Sequence, residues 1–496
     1  MAATAQPQNK PGLRRDAIGL REVLFQSITD MAPGAAIAAS IPAGVAFAGG
    51  SLPLSVIFAL IACLLCAWCI GLLSREIPAA GSLATYAARG IHPAAGFLVA
   101  WGYVLVGWLI PPLVLLQLGF TTAATLNAEI SGYPATLWWP WSILGALIVL
   151  AAGYYGIRTS ARLGTILGLF EIGVFLVLAV FLIVHAGHHN TWSVFGTGYT
   201  PSGFRGISGV IGGSVFTLLA FGGFEGAAPL AEEARNPRRT IQRAVLLATL
   251  LIGALYVFTT YAVDVAFGPK GFAGFTTGTG SASWEGLARS LYGIFWFFVF
   301  LAIVNSTIAN ANAGVNVSSR TAYAMGRIGA FPRFFELVSP KHRSPVNSIL
   351  VAFAVTIAVT LGLGFGYTPT VAFAMVGTGI VIVLVAIYIL MNAACIGFFA
   401  RRGGGFNVLS HLVVPLLGIA AFVPAWLTAA GIKVFSFVAP LAPPYSYMGP
   451  AVAAWMVIGV IYLIYLYNRH PRRVTEVGLV HLDAEVQPVS GAASRF

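Results

Sequence analysis

The residue of this chain best placed to do chemistry is Glu225, because it stands inside a stretch that is otherwise fit for lipid. From Ile207 to Arg239 the sequence reads ISGVIGGSVFTLLAFGGFEGAAPLAEEARNPRR, an apolar run interrupted by glycines, a proline and that carboxylate. Hydrocarbon offers no water to an acid or to unpaired backbone, so such a break survives only where protein or a wet cavity surrounds it. A carboxylate held there can hydrogen-bond the break, take up and release a proton, or simply cap loose amides. Glu171, in the middle of another apolar run, is the rival proton carrier.

A second interruption lies in the first apolar run, where Pro33 and Gly34 sit within Met31-Ala32-Pro33-Gly34-Ala35-Ala36. A broken helix bares the last carbonyls of one half and the first amides of the next, and these carry the partial charges of the helix ends. Amides near Ala35, Ala36 and Ile37 suit an anionic group, and carbonyls near Ala220, Phe221 and Gly222 suit a cationic one. Phe221 and Phe224 fit the aromatic wall of such a site by position, with Trp108 a further candidate and Trp101 and Tyr103 weaker ones. The plainer alternative is that Pro33 merely kinks a helix and the glycines merely allow close packing.

Composition dictates what must position these residues: of 496 residues, 58% are hydrophobic and 8% charged. Twelve membrane-length apolar runs follow one another, near 23–48, 53–73, 96–126, 137–155, 162–186, 206–231, 241–266, 288–318, 346–364, 369–400, 409–431 and 447–468. The net charge of +12 sets orientation and does not call for nucleic acid. With the amino terminus inside, Arg14, Arg15, Arg21, Arg75, Arg158, Arg162, Arg235, Arg238, Arg239, Lys341, Arg343, Arg401, Arg402, Arg472 and Arg473 share one side, while Arg205, Lys270, Arg289 and Lys433 face the other. That asymmetry places both termini in the cytoplasm. Residues 1–22 and 469–496 read as polar cytoplasmic tails, the former without a cleavable signal pattern.

Five crossings separate the two interrupted runs, so they enter from opposite faces. The expected organisation is a first five-helix repeat over 23–186, an inverted second repeat over 206–400, and helices 11 and 12 over 409–468. The fold class is therefore an all-α integral membrane protein with broken helices 1 and 6. Cys63, Cys66, Cys69 and Cys395 read as packing groups within spans, and His185, His188 and His189 as a solvated loop, so neither cofactor nor metal is expected. Glu232 and Glu233 precede Arg235, Arg238 and Arg239, where ion pairing is the expected role.

Three motifs resemble the amino acid-polyamine-organocation superfamily of permeases, over roughly residues 20 to 470. They are FGGFEGAAPLAEEARNPRRTIQRAV from Phe221, SRTAYAMGRIGAFPRFFELVSPKHRSPVNS from Ser319, and the looser IPAAGSLATYAARGIHPAAGFLVAWGY from Ile77. The resemblance implies a secondary-active permease for an amino acid, whose carboxylate and ammonium would meet the two helix ends by alternating access. Many members of the family carry a Gly-Ser-Gly-like triplet where Ala35, Ala36 and Ile37 stand here, and Ile37 would narrow the site. Proton-driven relatives can carry a lysine where Glu171 stands.

Helix 8 is unusually polar, with Asn305, Ser306, Thr307, Asn310, Asn312 and Asn316. Sodium-coupled relatives of the fold place hydroxyl ligands near Ser306 and Thr307; interhelical hydrogen bonding is the alternative. Asn310 and Gly314 are candidates for the floor of the site and Tyr388 for a gate. Coupling to protons or exchange is expected ahead of sodium. A polyamine or ethanolamine carrier, or a non-transporting sensor with the same fold, are the rival functions. An enzyme is not expected, since no convergent nucleophile, base or metal set occurs, and no ATP-binding loop is present. The lipid bilayer of the plasma membrane and a small molecule are the expected partners.

Overall fold

The computed structural model describes residues 18–78, 81–155, 161–232, 234–275, 283–339, 344–402 and 404–477. The chain folds into the expected all-α arrangement, and every apolar run is helical, some of them in more than one piece. Helix 1 comprises Leu20–Met31 and, beyond Ala32, a second half running through Pro33–Ala35 to Val45–Ala48. Helices 2 to 5 are Leu52–Glu76, Pro93–Glu129, Trp139–Tyr155 and Ala161–Ala186. Helix 6 is Ile207–Phe221 followed by the tighter turns of Phe224–Glu232, and helices 7 to 10 are Pro237–Phe267, Phe295–Arg327, Val346–Gly366 and Pro369–Arg401. Helix 11 opens with a wide π turn, Leu409–Val413, and continues as Val414–Ala430; helix 12 is Met448–Arg469. Ten helices among the described residues are long and apolar enough to cross a membrane.

Local chemistry sets the boundaries. Helix 3 starts with Pro93 at its first position, where a missing N–H costs nothing, and His92 Nδ1 accepts the N–H of Ala94 at 3.3 Å. Helix 10 starts likewise, with Pro369 in its first turn and Thr368 Oγ1 accepting from the N–H of Val371 at 3.3 Å. One boundary differs from expectation. The run read as 288–318 is divided, because Gly293 at φ +54° ends a short helix, Trp284–Tyr292, before helix 8 begins at Phe295. Arg289 of that short helix lies 4.5 Å from the ring of Trp296, which holds the corner. The basic residues Arg14, Arg15, Arg158, Lys341 and Arg343 lie outside the described residues, as do Glu233 and the side chains of Arg162 and Glu232.

Helices 10, 6 and 3 form the interior: 83%, 78% and 67% of their most apolar stretches are buried, against 28% for helices 9 and 12. Leu416, Leu417, Ile461 and Ile464 stay exposed on helices 11 and 12, where lipid replaces protein as the apolar neighbour.

Helices 1 and 6 lie side by side and antiparallel. The N–H of Arg235, just past helix 6, donates to the carbonyl of Ile18, just before helix 1, at 2.8 Å. At the opposite ends Phe47 stacks on Phe216 at 5.6 Å and meets Phe204 edge-on at 5.0 Å. The start of each helix therefore adjoins the end of the other, as an inverted repeat requires.

Candidate functional site at the two helix breaks

Helix 1 breaks at Ala32, whose φ of 45° and ψ of 65° are left-handed. Pro33 follows and has no N–H to donate, so the ladder of backbone hydrogen bonds is interrupted. Three side chains take up the groups this releases. The carbonyl of Met31 accepts from Tyr256 Oη at 3.2 Å, the N–H of Gly34 donates to Glu171 Oε2 at 3.0 Å, and the carbonyl of Ala35 accepts from Gln117 Nε2 at 3.0 Å. The carboxyl of Glu171 thus sits at the positive start of the second half of helix 1. Space there is closed: a methyl group on Gly34 would come within 2.7 Å of Glu171 Oε2 and 3.1 Å of Ser306 Cβ.

Helix 6 breaks at Gly222 and Gly223, the latter at φ +107°, a conformation that favours glycine. The carbonyl of Ala220 accepts from Tyr256 Oη at 3.1 Å, so one hydroxyl is shared between the ends of both first halves. The backbones also touch, since a side chain on Gly223 would stand 2.6 Å from the carbonyl of Asp30. Across the gap Ser27 Oγ donates to the carbonyl of Phe224 at 2.9 Å and accepts the N–H of Ala227 at 2.9 Å.

Glu225 is buried and held by three donors: Tyr388 Oη at 2.8 Å, the N–H of Gly223 at 3.2 Å and Tyr103 Oη at 3.3 Å. Beside it, Asp30 accepts from Gln26 Nε2 at 2.9 Å and presses its other oxygen on Gly226. Among the described residues the buried acids are Glu171, Glu225, Asp264 and Glu285, and no lysine or arginine is buried. An interior with acids and no fixed base attracts cations.

The remaining candidates divide. Ala35, Ala36, Ile37, Phe221 and Phe224 are buried at the breaks; Phe221 meets Tyr256 edge-on at 5.3 Å and Phe224 lies 4.9 Å from the ring of Tyr388. Ser306 adjoins Gly34, whereas Thr307 Oγ1 donates within its own helix to the carbonyl of Val304 at 2.9 Å. Asn310 is half-buried on helix 8. Gly314 serves close packing, because a methyl there would meet Ile110 at 2.8 Å. Trp108 faces Trp455 of helix 12 at 5.6 Å, and Trp101 stacks on the same ring at 4.7 Å, so the tryptophans secure helix 12 while Tyr103 reaches Glu225. Tyr256, Gln117, Ser27 and Asp30 join the site without having been expected. Among the described residues no three His, Cys, Asp or Glu side chains are grouped to hold a metal ion.

The known proteins similar to this chain agree with that architecture. The Escherichia coli K12 low-affinity putrescine importer PlaP is 28% identical over 319 residues, covering 62% of this chain and 66% of its own length. Cationic amino acid transporter 4 of Mus musculus is 28% identical over 330 residues, covering 61% of this chain and 48% of its own. The chain thus spans less than two thirds of the length of these relatives. The crystal structure of the Eremococcus coleocola manganese transporter superimposes with a TM-score of 0.54 over 92% of this chain and 94% of that one, at 11% identity, a likeness of fold. The sequence profile of the amino acid permeases matches residues 18–466, and the chain belongs to that family.

Proposed function

We propose that the chain is a secondary-active permease moving an amino acid or related amine across the plasma membrane by alternating access, with both termini in the cytoplasm. The observation that carries this reading is the contact between the two breaks, where Tyr256 Oη reaches the carbonyls of Met31 and Ala220 at 3.2 and 3.1 Å. Backbone poles that lipid could not tolerate are gathered at one buried place, as a transporter's solute site requires. Helices 1 and 6 would tilt there against helices 3 and 8. The site is assigned to Pro33, Gly34, Ala35, Ala36, Ile37, Ala220, Phe221, Gly222 and Phe224, with Glu225, Glu171 and Tyr388 in coupling or gating.

Proton symport or exchange is favoured over sodium. Glu171 and Glu225 are buried carboxylates able to hold a proton.

A second reading, a cargo with an ammonium and no carboxylate, is favoured by one contact. Glu171 already occupies the Gly34 amide that a zwitterion's carboxylate would want, and among the described residues no buried base replaces it. The two relatives named above carry putrescine and cationic amino acids in their names, which accords with an acidic site.

The test is uptake into proteoliposomes across a panel of amino acids, diamines and ethanolamine, with and without sodium at two pH values. Saturable uptake with counterflow supports a permease; binding without uptake supports a sensor, and unsaturable flux a channel.

A further inference from the structure

Away from the breaks, a cavity of about 340 Å3 opens where helix 2 ends, helix 10 ends and helix 11 begins. That volume is within the range of small-molecule sites. Its walls include Arg75, Glu76, Arg402, Phe399, Gly404 and His411. Glu76 pairs with Arg402 at 2.6 Å, and Arg75 has no ion pair among the described residues, so the walls hold one more positive than negative charge. His411 adds a donor: its Nδ1 accepts the N–H of Asn407 at 3.0 Å, which leaves the ring hydrogen on Nε2. The ring is fixed by stacking on Phe399 at 3.9 Å. It sits in the π turn Leu409–Val413, a distortion often kept for a site. Gly405 at φ +74° brings backbone without a side chain to the same wall.

The opposite face of helix 11 is apolar and open. Leu409, Val413, Leu416 and Leu417 recur at helical spacing and are 65%, 37%, 49% and 54% exposed. A guanidinium-lined recess and an exposed apolar surface thus share helix 11, on opposite faces, at the side of the protein where helices 2 and 10 end.

We propose that this cavity binds a phosphate-bearing anion, the headgroup of an anionic phospholipid whose acyl chains run out into the surrounding bilayer. Arg75 and His411 donate to the phosphate oxygens, and Arg402 is shared between the phosphate and Glu76. Basic recesses between membrane helices are suited to such headgroups. The site is separate from the helix breaks and does not depend on what the protein carries.

The test uses the full chain in detergent, its melting temperature followed as phosphatidylglycerol, phosphatidylcholine or inorganic phosphate is added. Phosphatidylglycerol is expected to stabilise the protein where phosphatidylcholine does not. In Arg75→Gln the lipid needed for half of the effect should rise about fivefold, the worth of one basic contact at a membrane surface. Arg75→Lys should restore most of it, and Lys433→Gln, past the far end of helix 11, should leave it unchanged. Because Arg75 is exposed, its loss does not open the core. Stabilisation by inorganic phosphate that also depends on Arg75 would keep the phosphate site and assign it to a soluble anion. An equal response to phosphatidylcholine, or an unchanged response in Arg75→Gln, would overturn the proposal.

Discussion

The carboxyl of Glu171 accepts the N–H of Gly34 at 3.0 Å, so a residue of helix 5 supplies the acceptor at the place in helix 1 where a bound carboxylate would dock. The contact joins residues 137 positions apart and fills the space that glycine leaves. Glu171→Ala should free that amide and shift preference toward ligands bearing a carboxylate, by about fivefold relative to diamines, the worth of an anion at a helix start. Competition binding to the purified protein measures it; an unchanged ratio would remove Glu171 from substrate selection.

Tyr256→Phe keeps the ring that Phe221 packs on and deletes the hydroxyl shared by Met31 and Ala220. Leaving buried carbonyls without a donor should lower stability by about 1–2 kcal/mol and reduce uptake more than Tyr261→Phe, whose hydroxyl lies on another part of helix 7. Equal uptake by the two variants would count against the bridge.

Glu225→Gln should impair gradient-driven uptake more than equilibrium binding, because the amide still meets Tyr103 and Tyr388 but cannot release a proton. Comparing proteoliposome uptake under a pH gradient with binding at fixed pH separates the two. A variant with the wild-type pH dependence would take Glu225 out of coupling.

The substitution Gly223→Ala must place a methyl group at φ +107° and 2.6 Å from the Asp30 carbonyl. It should cost about 1–3 kcal/mol and abolish uptake. At Gly222, φ is −53° and a methyl meets the end of Leu384 at 3.0 Å, which can yield, so Gly222→Ala should retain part of the activity. Reversal of that order would contradict the packing of the breaks.

Glu285, on the short helix before helix 8, predicts how stability varies with pH. Its carboxyl accepts from Thr125 at 2.8 Å and is pushed up from 4.5 to about 8 by burial. The folded protein then keeps a proton that the unfolded chain sheds between these values, so this group's contribution to stability is full below pH 4.5 and falls as pH rises to 8. The slope should reach about 1.4 kcal/mol per pH unit. Glu285→Gln should flatten it over that window, as read from denaturation at several pH values; an unchanged slope would refute the assignment.

Much of this was legible because breaks in apolar helices have local causes. Pro33-Gly34 and Gly222-Gly223 announce themselves in the sequence, and the odd number of crossings between them fixes their antiparallel meeting. What lay hidden depends on contacts between distant segments. Tyr256 and Gln117 look like ordinary residues of apolar helices, and only the packing of helices 7 and 3 on helix 1 gives their polar atoms a task. Of the helix 3 aromatics, Trp108 is turned to helix 12, whereas Tyr103, five residues earlier and the weaker candidate by sequence, reaches Glu225. The acid of Glu171 was visible; its place on the Gly34 amide was not.

The most direct test is a cryo-electron microscopy structure of the protein with its transported ligand. The ligand's ammonium should lie within hydrogen-bonding distance of the carbonyls around Ala220 to Gly222, between the two breaks and beside Phe221 and Phe224. Ligand density elsewhere in the bundle, with both breaks still closed on each other, would contradict the account.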